Sequence, residues 1–122
     1  MKPEKSQSLP ESFKYALAGI RYAIIHERNF KIHIVCVIIA AILCVILPID
    51  GIHSFMVMYA IFFVLCMELI NTAVEALVDL FCGQKMNPLA KIAKDCCAGA
   101  VLLSSIQAVI VGVIVVRHLL SL

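Results

Sequence analysis

The sequence predicts an all-helical integral membrane protein, with one amphipathic helix on the membrane surface and three helices across the bilayer. Three observations predict it. Of 122 residues, 63% are apolar and only 15% are charged, more apolar surface than a soluble chain of this size could cover. The apolar residues gather into three long runs separated by short polar breaks. The ten Lys and Arg residues are shared very unevenly between the two ends of those runs. One domain is expected at this length.

Residues 1–9 (MKPEKSQSL) are polar and are expected to be flexible. Residues 10–29 form the surface helix. Phe13, Leu17, Ile20 and Ile24 recur on one face, Lys14, Arg21 and Arg28 lie on a flank, and Pro10 followed by Glu11 suits a helix start. Glu27 breaks the pattern, because at 100° per residue it falls within about 40° of Phe13 on the apolar face. The first span is expected over residues 32–47, and Pro48-Ile49-Asp50-Gly51 reads as a turn. The second span is expected over residues 54–81, followed by a polar break from Cys82 to Pro88. LAKIAKD, residues 89–95, begins a helix that continues as the third span over residues 96–120.

Six basic residues precede the first span, three (Lys85, Lys91, Lys94) lie between the second and third, and Arg117 alone lies on the other side. By the positive-inside rule the N-terminus and second loop face the cytoplasm. The net charge of +2 is modest, and no nucleic-acid partner is expected. The six cysteines contain no Cys-x-x-Cys and read as thiols without a ligand role. The four histidines, 26, 33, 53 and 118, are scattered without metal-binding spacing and read as interfacial residues.

The second span carries the chemistry. Glu68, Asn71, Glu75 and Asp79 are spaced 3, 4 and 4 apart, which puts them within about 80° of one another over roughly 16 Å of helix rise. A charge at mid-membrane costs roughly 2.5–3.5 kcal/mol on insertion scales, so a line of carboxylates on one face calls for partners or for a function. Asp79 can pair with Lys91, Lys94 or Arg28. Glu68 is expected to have no cationic partner at its depth, which makes it the functional candidate. Glu27 and Glu75 should both lie near the cytoplasmic boundary, and two carboxylates there suit Mg²⁺ held jointly with substrate phosphates. Lys94 and Asp95 follow the basic loop, where an ammonium could meet phosphate. No P-loop or Gly-rich nucleotide loop occurs, which excludes the soluble kinase folds. On the residues alone two function classes stand: an enzyme using these carboxylates, or a small transporter or proton relay using Glu68. A relay has no use for Glu27 on a surface helix or for Lys94-Asp95.

ERNFKIHI, MELINTAVEALVDL and PLAKIAKDCCAGAVLL together resemble the prokaryotic membrane lipid kinase family, which contains diacylglycerol kinase and undecaprenol kinase. ERNFKIH and NPLAKIAKD are closer to the Gram-positive undecaprenol kinase branch. The resemblance covers nearly the whole chain from residue 12. It implies a homotrimer in a bacterial plasma membrane, with composite sites between neighbouring chains, and transfer of phosphate from Mg-ATP to a lipid alcohol. By motif position it implies Glu68 as general base, Asn71 as its support, Glu27 and Glu75 as Mg²⁺ ligands, and Tyr15, Lys94 and Asp95 as nucleotide contacts. Undecaprenol is the expected lipid, with diacylglycerol as the alternative. The chain departs from the family in the loop GQKMNPLAK, where an acidic residue and a histidine are common.

Overall fold

The structure is a computed structural model that describes residues 8–85 and 87–122. The polar segment expected to be flexible lies, up to residue 7, outside the described residues. Four helices follow in order: α1, Leu9–His26; α2, Arg28–Ile46; α3, Gly51–Cys82; and α4, Pro88–Leu120.

α1 starts where Ser8 and Glu11 cap each other. The Glu11 N–H donates to Ser8 Oγ at 3.4 Å, and the Ser8 N–H donates to Glu11 Oε2 at 3.0 Å. Phe13 and Leu17, on the face read as lipid-seeking, are 64% and 65% exposed, as an interfacial helix requires. The surface helix does not run to residue 29. It stops at His26, and Glu27 alone forms a corner with φ −99° and ψ 113°. Glu27 is at once the C-cap of α1 and the N-cap of α2, so Arg28 and Asn29 belong to the first span.

α2, α3 and α4 are each long enough, and each holds a stretch apolar enough, to cross a bilayer. Their apolar side chains mostly point away from the chain itself, with Val45 83% exposed and Leu103 70%. Lipid or further subunits must cover them. α3 begins three residues before the expected start, because Asp50 accepts the His53 N–H at 2.9 Å and caps it. It ends at Gly83, whose φ of +57° with ψ −130° is a backbone conformation open to glycine and strained for residues that carry a Cβ. The helix begun at residue 89 and the third span are one continuous helix, capped by Asn87 Oδ1 accepting from the Leu89 N–H at 2.8 Å.

α3 and α4 pack as an antiparallel hairpin, and α2 lies against α3. Ala60, Val111 and Val115 form the contact in one half of the hairpin. At the other end Ala23 of α1, Phe30 of α2 and Leu65 of α3 pack together, with Ile34, Val37 and Leu69 around them. Lipid tails are as apolar as Phe30, so close packing rather than transfer from water holds this cluster. It is the joint that sets α1 and the Glu27 corner against the acidic half of α3.

Candidate functional site

The four polar residues of α3 form a gradient from dry to wet. Glu68 is buried at 3% exposure, Asn71 and Glu75 are half-buried, and the Asp79 side chain is 63% exposed. The lengths of the helices explain the order. α2, with 19 residues, rises about 28 Å and just matches a hydrocarbon core. α3, with 32 residues, rises about 48 Å and must project beyond it. Glu68 faces His33, the sixth residue of α2, so it sits little more than a turn inside the boundary, and Glu75 and Asp79 lie at or beyond it.

His33 corrects the expectation that Glu68 has no cationic partner. Its Nε2 lies 3.3 Å from Glu68 Oε1, close enough for an ion pair when the ring is protonated. The contact lacks hydrogen-bond alignment, and Glu68 Oε1 has no hydrogen-bond partner among the described residues. Such a buried, unsatisfied acceptor is costly to a fold that makes no other use of it. Reading His33 as merely interfacial missed this contact. The available signal was one polar residue, six after Glu27, in an otherwise apolar IHIVCV stretch.

Asn71 does not reach Glu68 here. Its Nδ2 donates to Glu75 Oε1 at 3.3 Å, while Thr72 Oγ1 donates to the Glu68 carbonyl at 3.0 Å. The Asn71 Oδ1 is buried and without a hydrogen-bond partner among the described residues. Glu27 and Glu75 both act electrostatically on Glu68, and Glu75 acts on Lys94 as well. The corner, the buried carboxylate and the next acidic turn therefore form one neighbourhood. Its donors are hard oxygens with one amide oxygen unclaimed, a set that fits Mg²⁺ and suits soft metals poorly.

Farther along, Lys94 Nζ donates to Asp79 Oδ1 at 2.6 Å, the pairing open to Asp79 from the sequence. Lys91 pairs with Asp95. Both ion pairs edge a cavity of about 300 Å³ between the end of α3 and the start of α4, which Lys85 and Asn87 also line. Tyr15 lines a different groove, of about 490 Å³, between α1 and α3 beside Leu69 and Thr72. Within one chain, then, Glu68 meets His33 and Asn71 meets Glu75, with Glu27 and Glu75 in electrostatic range of Glu68. Lys94 and Asp95 line a second cavity, and the groove at Tyr15 is lined by neither carboxylates nor lysines among the described residues.

Comparison with known proteins supplies the identity of the arrangement. Residues 14–116 match the prokaryotic diacylglycerol kinase family. A diacylglycerol kinase of Synechocystis is 51% identical over 104 residues, which cover 83% of this chain and 58% of that protein. An undecaprenol kinase of Bacillus subtilis is 36% identical over 106 residues, covering 86% of this chain and 85% of the relative. The diacylglycerol kinase of Escherichia coli K12 is 34% identical over 96 residues, covering 79% and 78%. The match runs through the Glu27 corner, the acidic line of α3 and the start of α4, and it leaves the transporter reading without support. The chain belongs to the prokaryotic diacylglycerol kinase family, a family of integral-membrane lipid kinases.

Proposed function

We propose that this protein transfers the γ-phosphoryl group of ATP to the hydroxyl of a membrane lipid alcohol, with undecaprenol preferred. The observation that carries the reading is Glu68: a carboxylate buried little more than a turn inside the membrane boundary, with an oxygen that has no hydrogen-bond partner among the described residues. A lipid hydroxyl moving along the bilayer reaches that depth, and Oε1 can take its proton. As the proton passes to Glu68, the hydroxyl oxygen forms its bond to the γ-phosphorus. The bond to the β,γ-bridging oxygen breaks and its electron pair leaves with ADP. His33, 3.3 Å away, orients the carboxylate. Glu27 and Glu75 hold Mg²⁺, with Asn71 bracing Glu75. The metal, when bound, neutralises phosphate charge, which with positioning is the larger part of catalysis in phosphoryl transfer.

Lys94, Asp95 and Tyr15 complete nucleotide binding in this reading. They line separate surfaces of one chain, which supports a site assembled between subunits of a homotrimer. The N-terminus, α1, the start of α2 and the passage from α3 into the first turns of α4 carry nine of the ten basic residues and face the cytoplasm of a bacterial cell, where ATP is found.

The lipid preference rests on hydrogen-bond supply. Diacylglycerol brings two ester carbonyls, whereas a polyprenol brings a lone hydroxyl on an apolar chain. Five inward side chains could donate: Asn71, Thr72, Ser104, Ser105 and Gln107. Thr72 and Ser104 spend their hydroxyl hydrogens on carbonyls of their own helices, and Asn71 donates to Glu75. A carbonyl left unpaired in a dry site costs roughly 1–3 kcal/mol, or about one to two decades in kcat/KM. Diacylglycerol is the second reading, favoured by the name of the Synechocystis relative and its 51% identity. Labelled ATP offered with undecaprenol, diacylglycerol and a short-chain alcohol, in one detergent, tests both levels. Phosphate transfer to undecaprenol with the higher kcat/KM is expected. A preference for diacylglycerol reverses the lipid assignment, and transfer to none of them removes the kinase reading.

A further inference from the structure

Asp50, His53 and His118 meet at the end of the bundle away from the acidic line. Asp50 lies some 18 residues before Glu68 on α3, about 27 Å along the helix, and the phosphotransfer reaction makes no use of it. Its Oδ1 accepts the capping N–H of His53 at 2.9 Å. Its Oδ2 lies 2.9 Å from His53 Nδ1 and 3.3 Å from His118 Nε2. The two imidazoles stack with centroids 4.0 Å apart and planes 13° apart, so that both turn a nitrogen-bearing edge toward one carboxylate. We propose that Asp50, His53 and His118 form a binding site for a borderline divalent cation of the Zn²⁺ class, joining the start of α3 to the end of α4.

The donor set decides the class of ion. Two imidazole nitrogens and one carboxylate suit Zn²⁺, Ni²⁺ or Cu²⁺, whereas Mg²⁺ prefers oxygen throughout. The spacing suits as well. Ligand atoms about 2.0–2.2 Å from a tetrahedral ion are roughly 3.3–3.6 Å apart, and the three groups here offer atoms all within 4.8 Å of one another. The His118–Asp50 separation already matches, while the shorter His53–Asp50 contact is that of a hydrogen bond and lengthens on binding. Capping holds Asp50 in place through Oδ1 and leaves Oδ2 for the ion. The His53 backbone N–H, and then its ring, keep the Asp50 carboxyl below its ordinary value of 3.8, so it is ionised at neutral pH. The side chains of His53, His118 and Asp50 are 20%, 28% and 49% exposed, which admits an ion and a water as fourth ligand. The ion takes the lone pairs of both imidazoles, so binding turns the two rings out of their stack toward one point. The ring hydrogens that these nitrogens otherwise direct at Asp50 sit on the opposite ring nitrogens once the ion is bound.

Purified full-length protein, with excess Mg²⁺ to occupy the hard-oxygen site, is titrated with Zn²⁺ by calorimetry and with Co²⁺ by absorption spectroscopy. One Zn²⁺ per chain is expected, with a rise in Tm and a Co²⁺ spectrum free of thiolate charge transfer. His118→Asn should lower the affinity at least tenfold and abolish the rise in Tm. Equal affinity in the variant, a thiolate band from the free cysteines, or no binding overturns the site. If the variant does not fold, nitrogen hyperfine coupling on Cu²⁺ bound to the wild-type protein decides. Two coupled imidazoles support the site, and one or none overturns it.

Discussion

α3 carries two carboxylates that face histidine, and their surroundings are opposite. Asp50, at its first turn, is half-exposed and meets a backbone N–H and two imidazoles. Glu68, in its second half, is buried and faces one imidazole at 3.3 Å without a formed hydrogen bond. The same pair of chemical groups is satisfied where water could have served it and left unsatisfied where water could not. A fold that needed only stability would reverse that placement, because an unmet acceptor is costliest when dry. This contrast supports the reading of the free Glu68 oxygen as reserved for substrate, whereas the Asp50 carboxylate already has partners on both helices and fastens α3 to α4.

The largest effect is expected from Glu68→Gln. The amide has the same shape but cannot take a proton, so lipid phosphorylation should fall by at least about 10²-fold, the lower bound for a lost general base. Tm should hold or rise, since a neutral amide is cheaper to bury than a carboxylate. Retention of more than about a tenth of wild-type turnover at saturating substrates would show that Glu68 is not the base. Glu27→Gln and Glu75→Gln each remove a charged oxygen from a site with few protein ligands. The Mg²⁺ concentration for half-maximal rate, titrated at fixed ATP, should rise about tenfold or more in each. Unchanged titrations in both would return Glu27 to a purely architectural role.

His33→Asn removes the one imidazole that faces Glu68 among the described residues. Loss of the imidazole that faces Glu68 at 3.3 Å should reduce kcat by about tenfold through poorer positioning of the carboxylate, with KM for ATP unchanged. An equal rise in KM for ATP, or no change in kcat, would mean that His33 merely fills space. The smallest effect is expected at the other carboxylate. Asp50→Ala removes the α3 cap and both imidazole contacts from a solvent-exposed position, so Tm in detergent should fall by only a few degrees. A collapse of the fold on this change would show that the exposed end, rather than the packed Ala23–Phe30–Leu65 joint, holds the bundle together.

Much of this arrangement is legible in the residues themselves. Hydropathy and the spacing of Phe13, Leu17, Ile20 and Ile24 locate the spans and the surface helix, because both are periodic properties of neighbouring residues. The line from Glu68 to Asp79 is legible for the same reason, being a single face of a single helix. What stays hidden is made by packing between helices. Glu27 as a one-residue corner carries no Gly or Pro to announce it, and its non-helical backbone follows from how Ala23 and Phe30 close on Leu65. The His33–Glu68 and His53–His118 meetings join residues 35 and 65 positions apart, a separation at which no helical periodicity carries information. Asn71 donating to Glu75 rather than serving Glu68 is a choice between two neighbours on the same face, and spacing alone does not make it.

The Glu27 corner also fixes a length. One residue both ends α1 and starts α2, so there is no slack between the helix that rests on the membrane and the helix that enters it. Each residue of α1 turns the helix by about 100°, and the face bearing Phe13 and Leu17 is counted back from that joint. The number of residues from Phe13 to Glu27 is therefore a gauge: it sets which way the carboxylate looks when the greasy face settles into the headgroups. Upstream of Ser8 the chain can drift in length at no cost to that alignment. Between Phe13 and the corner it cannot, and the bilayer surface itself becomes the datum against which the Glu27 carboxylate is aimed.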